Sequence, residues 1–236
     1  MEDISQKIAT YQPSNEAGDL VSSLKLAIFV GISGAGKDTI KNQLLKNHDY
    51  VDIITTTTRL PRMNDNVLEQ DGVDYYFIDR PQAEAMLDQR QYVEVSLVHG
   101  EVNGSTIDEL KRLKALDKIV VGDVDVQGLD KYKLLSHGVT ALFILPPSFE
   151  QWCERLRNRY TDDAEFEAVW PKRRASAIDE LDHALAAPYY HFVINDDINR
   201  AVDATDNIIQ CGGSLHKDIE ARQVASDLLE SIKSSY

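Results

Sequence analysis

Short β-branched runs and longer stretches with helical spacing alternate along this chain. Lys25–Val30 (KLAIFV) is an apolar run of strand length, followed by a glycine-rich segment and a helical stretch over Asp38–Lys46. Val51–Thr58 is β-branched or apolar at nearly every position and predicts a strand. Tyr75–Ile78 and Tyr92–Val98 are strand-like, on either side of a helical stretch at Pro81–Arg90. Thr106–Leu116 predicts a helix capped by Thr106 or Ser105, and Lys118–Val126 and Val139–Leu145 predict strands. Ser148 caps a helix running to Arg159, and Asp163–Ala186 predicts a helix broken near Trp170–Pro171. Phe192–Ile194 is a last short strand, and Ile198–Ile209 and His216–Ile232 close the chain as helices. Residues 1–23, polar with Pro13, Ser14, Asn15 and Gly18 close together, predict a loose arm with one short helix. The alternation predicts an α/β fold with a mostly parallel core sheet.

Composition narrows this further. The 236 residues fit one domain with tails, and 43% hydrophobic content is that of a globular chain. Cys153 and Cys211 match no metal or redox spacing, which suits a reducing, cytoplasmic setting. No apolar run approaches the roughly 18–20 residues that span a bilayer, and Met1–Ala9 lacks the apolar stretch of a secretory leader. The net charge of −14 repels nucleic acid and anionic lipid, so neither is an expected partner. It repels phosphate-bearing small molecules too. A site for one must therefore be built locally, from backbone amides and a few converging cations.

Gly31-Ile32-Ser33-Gly34-Ala35-Gly36-Lys37 lies between a predicted strand and a predicted helix, the context that gives a G-x-x-x-x-G-K match meaning. Glycines let successive N–H groups curl toward phosphate oxygens, the helix adds its N-terminal partial charge, and Lys37 reaches the β- and γ-phosphates. The next position, usually Ser or Thr for holding magnesium, is Asp38, followed by Thr39. A carboxylate there either ligates the metal or repels the phosphates. Arg59 and Arg62, three apart in TTTTRLPR, can both face one phosphate. Asp123 and Asp125 are two apart at a predicted strand end, which places both on one side.

Taken in order, the GxSGxGK loop, TTRxPR, GVDYYF, the strand bearing Glu94, Gly104-Ser105, DVDVQG, PPSxxxxxxRLxxR and VINDD resemble the guanylate kinase family over Lys25–Gln210. The resemblance implies a P-loop NTPase-type three-layer fold with a mixed-β GMP-binding part (55–105) and a lid (157–174) inside a domain at 24–210. An N-terminal arm (1–23) and a C-terminal helical extension (211–236) lie outside it. It implies ATP-dependent phosphorylation of GMP with magnesium. ATP would be held by Ser33, Gly34, Ala35, Gly36, Lys37, Asp38 and Thr39, with Asn195 near the adenine. Arg59, Arg62 and Tyr75 would bind the GMP phosphate, and Thr55, Glu94, Ser105 and Asp125 would surround the guanine, whose N1 and N2 donors suit carboxylates. Asp123, with Asp38, would act on the metal. Lys37 and the lid arginines Arg155, Arg159 and Arg173 would neutralise charge in the transition state.

The chain also departs from that pattern. Asn103 stands where the family usually has a tyrosine phosphate ligand, and Tyr160 replaces a glycine after the lid arginine. Met63–Asp71 is longer than usual and lacks the Gly-Glu pair, and Thr161–Pro171 is longer as well. Two other readings share the scaffold: a ribose 1,5-bisphosphate kinase, which often has Asp after the loop lysine, and a non-catalytic guanylate-kinase-like binding module.

Overall fold

The computed structural model describes residues 4–64, 67–98 and 100–235. Residues 1–3 of the predicted arm, 65–66 of the long Met63–Asp71 stretch, 99 and 236 lie outside the described residues. In chain order the elements are α1 (Ile4–Ala9), α2 (Asn15–Ser23), β1 (Leu26–Val30), α3 (Lys37–Leu44), β2 (Tyr50–Asp52) and β3 (Thr56–Thr57). Then come β4 (Met63–Asn64), β5 (Val67–Leu68), β6 (Tyr76–Phe77), α4 (Arg80–Asp88), β7 (Tyr92–Val98), β8 (Glu101–Thr106) and α5 (Ile107–Lys114). The rest is β9 (Ile119–Asp123), α6 (Val126–Leu135), β10 (Thr140–Leu145), α7 (Phe149–Arg157), α8 (Asp163–Ala186), β11 (Tyr190–Ile194), α9 (Ile198–Cys211) and α10 (Leu215–Ser234). The fold is α/β, as its alternation predicts.

The chain forms two compact units. The first takes residues 1–26, 49–122 and 127–139; the second takes 27–48, 123–126 and 140–236. In the first, β2 pairs in parallel with β9, and a mixed sheet runs β6-β3-β8-β7. In the second, β1, β10 and β11 are parallel neighbours. Every residue of β1 is buried, as are Ala141–Leu145 of β10, which explains why both read as unbroken apolar runs.

Several elements differ from the sequence expectation. The arm is not loose: Ile4 and Ile8, one helical turn apart on α1, enter a core with Ala83, Leu87, Tyr92, Val95 and Val102. Tyr11 follows, its hydroxyl donating to the Tyr92 carbonyl (2.6 Å) and accepting from the Tyr92 N–H (3.0 Å). Val51–Thr58 is not one strand. It divides at Ile53–Thr55, because β2 pairs with β9 whereas β3 pairs with β6 and β8. The strand expected over Lys118–Val126 ends at Asp123, and an unforeseen helix, α6, begins at Val126. Strand β8 was not expected either.

Helix α8 continues through Pro171 without a break. Proline removes one helical hydrogen bond at a cost of about 3 kcal/mol. An aromatic cluster offsets that cost: Trp170 packs on Trp152 (5.4 Å between centroids), Phe166 (5.5 Å) and Phe149 (6.4 Å). The C-terminal segment belongs to the second unit's body. Arg174 of α8 donates to the Ile232 (3.0 Å) and Lys233 (2.8 Å) carbonyls at the end of α10, and Arg222 of α10 donates to the Tyr190 carbonyl of β11 (2.7 Å).

Candidate active site

In the second unit, β1 delivers the chain into the glycine-rich loop. Gly34 and Gly36 both have φ of 89°, which a side chain strains to adopt. A Cβ on Gly36 would lie 2.2 Å from Asn195 Nδ2, so this position needs glycine twice over. The loop is braced through its carbonyls. Trp152 Nε1 donates to Ser33 O (2.8 Å) and Asn195 Nδ2 to Ala35 O (2.8 Å). Arg155 donates to Ala35 O (3.5 Å) and Asn195 O (2.8 Å), and Arg159 donates to Ser33 Oγ (3.0 Å). In a trans peptide the N–H points opposite to the preceding C=O. With the Ser33 and Ala35 carbonyls held by α7 and Asn195, the Gly34 and Gly36 amides point the other way, as a phosphate cradle requires.

Lys37 opens α3. Its ammonium lies 2.8 Å from Asp38 Oδ1 and 2.9 Å from Asp123 Oδ2, while Lys41 Nζ lies 2.6 Å from Asp123 Oδ1. Burial works against both charges. The Lys37 and Lys41 fields nevertheless hold Asp123 well below the usual carboxylate range, and Asp123 and Asp38 raise the Lys37 pKa. Lys41 was missed from sequence, although its i, i+4 spacing from Lys37 places both on one face of α3. Asp125 lies beyond the end of β9, directly before α6, so strand alternation does not put it beside Asp123. Its field instead reaches Glu180 of α8. Burial, then Asp125, push that carboxyl up to about 7, against the opposing pull of Lys37 and Arg173. Arg173, expected in a lid, donates from Nε to the Tyr160 hydroxyl (3.2 Å), so the residue that departs from the family pattern anchors one of the expected cations. Thr39 lies on α3, on the turn that begins at Lys37.

Hard oxygen ligands suit magnesium, which keeps most of its water and takes one or two protein carboxylates beside phosphate oxygens. Asp38 and Asp123, adjacent to the cradle and charged against two lysines, fit that description.

The first unit carries the other cluster. Glu94 is only 4% exposed, and its Oε1 accepts from both the Ser105 N–H and the Ser105 Oγ (each 3.0 Å). A register irregularity between Tyr92 and Glu94 re-aims the strand so that Glu94 stands opposite Ser105. Gly104 is required beside it, since a Cβ there would lie 2.6 Å from Glu94 O. Arg59 makes a two-pronged contact with Glu69 (2.7 and 3.0 Å) and lies over the Tyr75 ring at 5.1 Å. Glu69 also accepts from the Arg62 N–H (2.8 Å), leaving the Arg62 side chain exposed. The long stretch without Gly-Glu thus supplies a carboxylate that fixes the Arg59 side chain and the Arg62 backbone, and nothing in local sequence identified Glu69 for that task.

Thr55 accepts a backbone bond from the Tyr76 N–H (2.9 Å), and Asn103 is held to the Glu101 carbonyl (3.2 Å). A second unforeseen acid, Glu109, is 2% exposed; it accepts from Ile54 N–H (2.9 Å), Tyr76 OH (3.2 Å) and Arg112 (2.8 Å twice). It holds the β2–β3 connection where Thr55 sits. Thus Thr55, Arg59, Arg62, Tyr75, Glu94, Asn103 and Ser105 lie in the first unit, and Ser33–Thr39, Asp123, Asp125, Arg155, Arg159, Arg173 and Asn195 in the second.

Among the described residues no helix is long and apolar enough to cross a membrane, and no three His, Cys, Asp or Glu side chains are grouped to hold a metal by themselves. Both cysteines are free thiols.

A family model described as guanylate kinase matches residues 23–211. Guanylate kinase of Myxococcus xanthus is 34% identical over 185 residues, 78% of this chain and 85% of its own length. That of Schizosaccharomyces pombe is 31% identical over 192 residues, 80% of this chain and 92% of its own. The crystal structure of guanylate kinase from Anaplasma phagocytophilum shares the fold with a TM-score of 0.60 at 24% identity, covering 92% of this chain and all of that one.

Proposed function

The chain belongs to the guanylate kinase family, and from that premise we propose that it transfers the γ-phosphoryl group of ATP to GMP, and to dGMP, releasing ADP. The observation that carries the choice of acceptor is the buried Glu94 carboxylate fixed opposite Ser105. A carboxylate offers about four acceptor sites, enough for the guanine N1–H and N2–H beside the Ser105 N–H, and the Ser105 hydroxyl, turned from Glu94, can donate to O6. Adenine presents an acceptor at N1 and a donor at C6, so it meets this pair with both signs wrong. A site of this kind discriminates by factors on the order of 10⁴.

Arg59, Arg62 and Tyr75 supply the GMP phosphate contacts, with Thr55, Asn103 and Asp125 completing the acceptor set. Glu69 holds Arg59 in place. Ser33 to Thr39 hold the ATP phosphates and Asn195 lies toward the adenine. Asp38 and Asp123 are the groups that would meet magnesium, which when bound neutralises phosphate charge.

The attacking atom is an oxygen of the GMP phosphate, already anionic at neutral pH, so no general base is needed. The new P–O bond forms as the bond from the γ-phosphorus to the ADP oxygen breaks. The protein's share is positioning and neutralisation. Lys37, Arg159 and Arg173 supply positive charge to the transferring group, and Arg155 acts by holding the Ala35 carbonyl. Two free thiols support a cytoplasmic location.

A coupled ADP-release assay with GMP, dGMP, AMP and ribose 1,5-bisphosphate tests the proposal. GMP is expected to be turned over at the highest kcat/KM and AMP at background. Preference for the ribose bisphosphate, or nucleotide binding without turnover, would overturn it.

A further inference from the structure

Helix α6, which the sequence pattern did not predict, packs against the strand that carries Glu94 and brings an unassigned side chain toward the Glu94–Ser105 pair. Tyr132 is fully buried, and among the described residues its hydroxyl has no hydrogen-bond partner. An unpaired buried phenol is a standing cost, and removing its oxygen would leave the packing of the ring intact. The Glu94 charge and the Ser105 side chain both act on this hydroxyl, although it makes no hydrogen bond to Ser105. The neighbouring Lys131 ammonium bonds the carbonyl of Val95, the residue after Glu94, which ties α6 to β7 at this level. Burial, and then the Glu94 charge, push the Tyr132 pKa upward, so the group stays a neutral O–H donor.

The chemistry of the pair gives this donor a use. The Ser105 hydroxyl has one hydrogen, directed in this structure at Glu94 Oε1. A guanine that donates N1–H and N2–H to Glu94 presents its O6 acceptor to Ser105, whose hydrogen must then turn toward it. The serine oxygen is left with acceptor capacity on the α6 side, where Tyr132 is the donor at hand. A hydroxyl that accepts one hydrogen bond donates a stronger one.

We propose that Tyr132 is a positioning residue for base selection, donating its hydroxyl to Ser105 Oγ and thereby holding Ser105 as a donor to the 6-oxo group of the purine. A serine held this way resists turning to accept from a 6-amino group, so the device acts against adenine as well as for guanine. The inference rests on the GMP-kinase reading above.

The test is Tyr132→Phe, alone and combined with Ser105→Ala, in steady-state assays with GMP and AMP and in thermal unfolding. The expected result is a GMP KM raised about three- to tenfold, the size of one hydrogen bond. The GMP kcat should stay within twofold, GMP-over-AMP selectivity should fall by at least the same factor, and the unfolding midpoint should not drop. In the Ser105→Ala background the Phe substitution should add nothing. A GMP KM unchanged by Tyr132→Phe, or an equal effect of that substitution without Ser105, overturns the inference alone. Absence of GMP turnover by the unsubstituted protein overturns the reading on which it rests.

Discussion

The cradle in the second unit and the pocket proposed around Glu94 in the first are both assigned an anionic nucleotide in the proposed function, yet they are built from different material. The cradle is made of peptide N–H groups in a contiguous stretch, with glycines at φ of 89° and carbonyls taken up by Trp152, Asn195 and Arg155. Its charge comes from Lys37 and Lys41, balanced by Asp38 and Asp123. The pocket is made of side chains that meet only through folding: Glu94 with Ser105, Arg59 with Glu69, and Tyr132 delivered by α6. Backbone dipoles bind any polyphosphate, whereas fixed carboxylates and hydroxyls read a base. On the proposed function, affinity for phosphate belongs to one region and choice of acceptor to the other.

Substitutions in each region should therefore separate. The largest effect is expected from Lys37→Ala, which should lower kcat by about 10²–10³, the scale for losing one charge-stabilising donor. Circular dichroism should show an unchanged fold. Next is Glu69→Gln, which keeps the shape but weakens the grip on Arg59. Bonds to charged groups are worth roughly 1.5–3 kcal/mol, so the GMP KM should rise about tenfold or more while the ATP KM stays put. An equal rise in both constants would erase the division between the regions. Trp152→Phe removes the indole donor to Ser33 O and should raise the ATP KM about three- to tenfold without moving that for GMP.

The smallest change concerns pH. Burial, then the Asp125 charge, push the Glu180 carboxyl up to about 7 from the ordinary 4.5 of a glutamate. The folded state therefore binds more protons between those values, and this group's contribution to stability falls as pH rises through that window. Glu180→Gln should leave stability near its original value below pH 4.5 and exceed it at pH 8 by an amount on the order of 1–3 kcal/mol. Urea unfolding at the two pH values measures this.

The same contrast explains what could be read from the sequence. The cradle was legible because its constraints are local: glycines at fixed offsets, a lysine at the helix start, a strand before and a helix after. Caps were legible for the same reason, as at Thr106 and Ser148. In the pocket, the arginine pair and Glu94 could be named by resemblance, but Glu69 and Glu109 could not, because their roles exist only once distant segments pack. Helix α6 escaped notice because Gly128 and alternating charges blur its apolar face, and Tyr132 with it. The N-terminal arm looked loose because its anchors, Ile4, Ile8 and Tyr11 and then Ala17, Leu20 and Val21 of α2, are scattered through a polar stretch. Pro171 signalled a break that the Trp170 cluster overrides.

Selection of the base by a buried carboxylate is most directly measured by comparing kcat/KM for GMP and AMP in the unsubstituted protein and in Glu94→Gln. The account predicts that the substitution lowers the GMP value about a hundredfold and leaves the AMP value at its original level. An unchanged GMP value, or a parallel fall for both nucleotides, would contradict it.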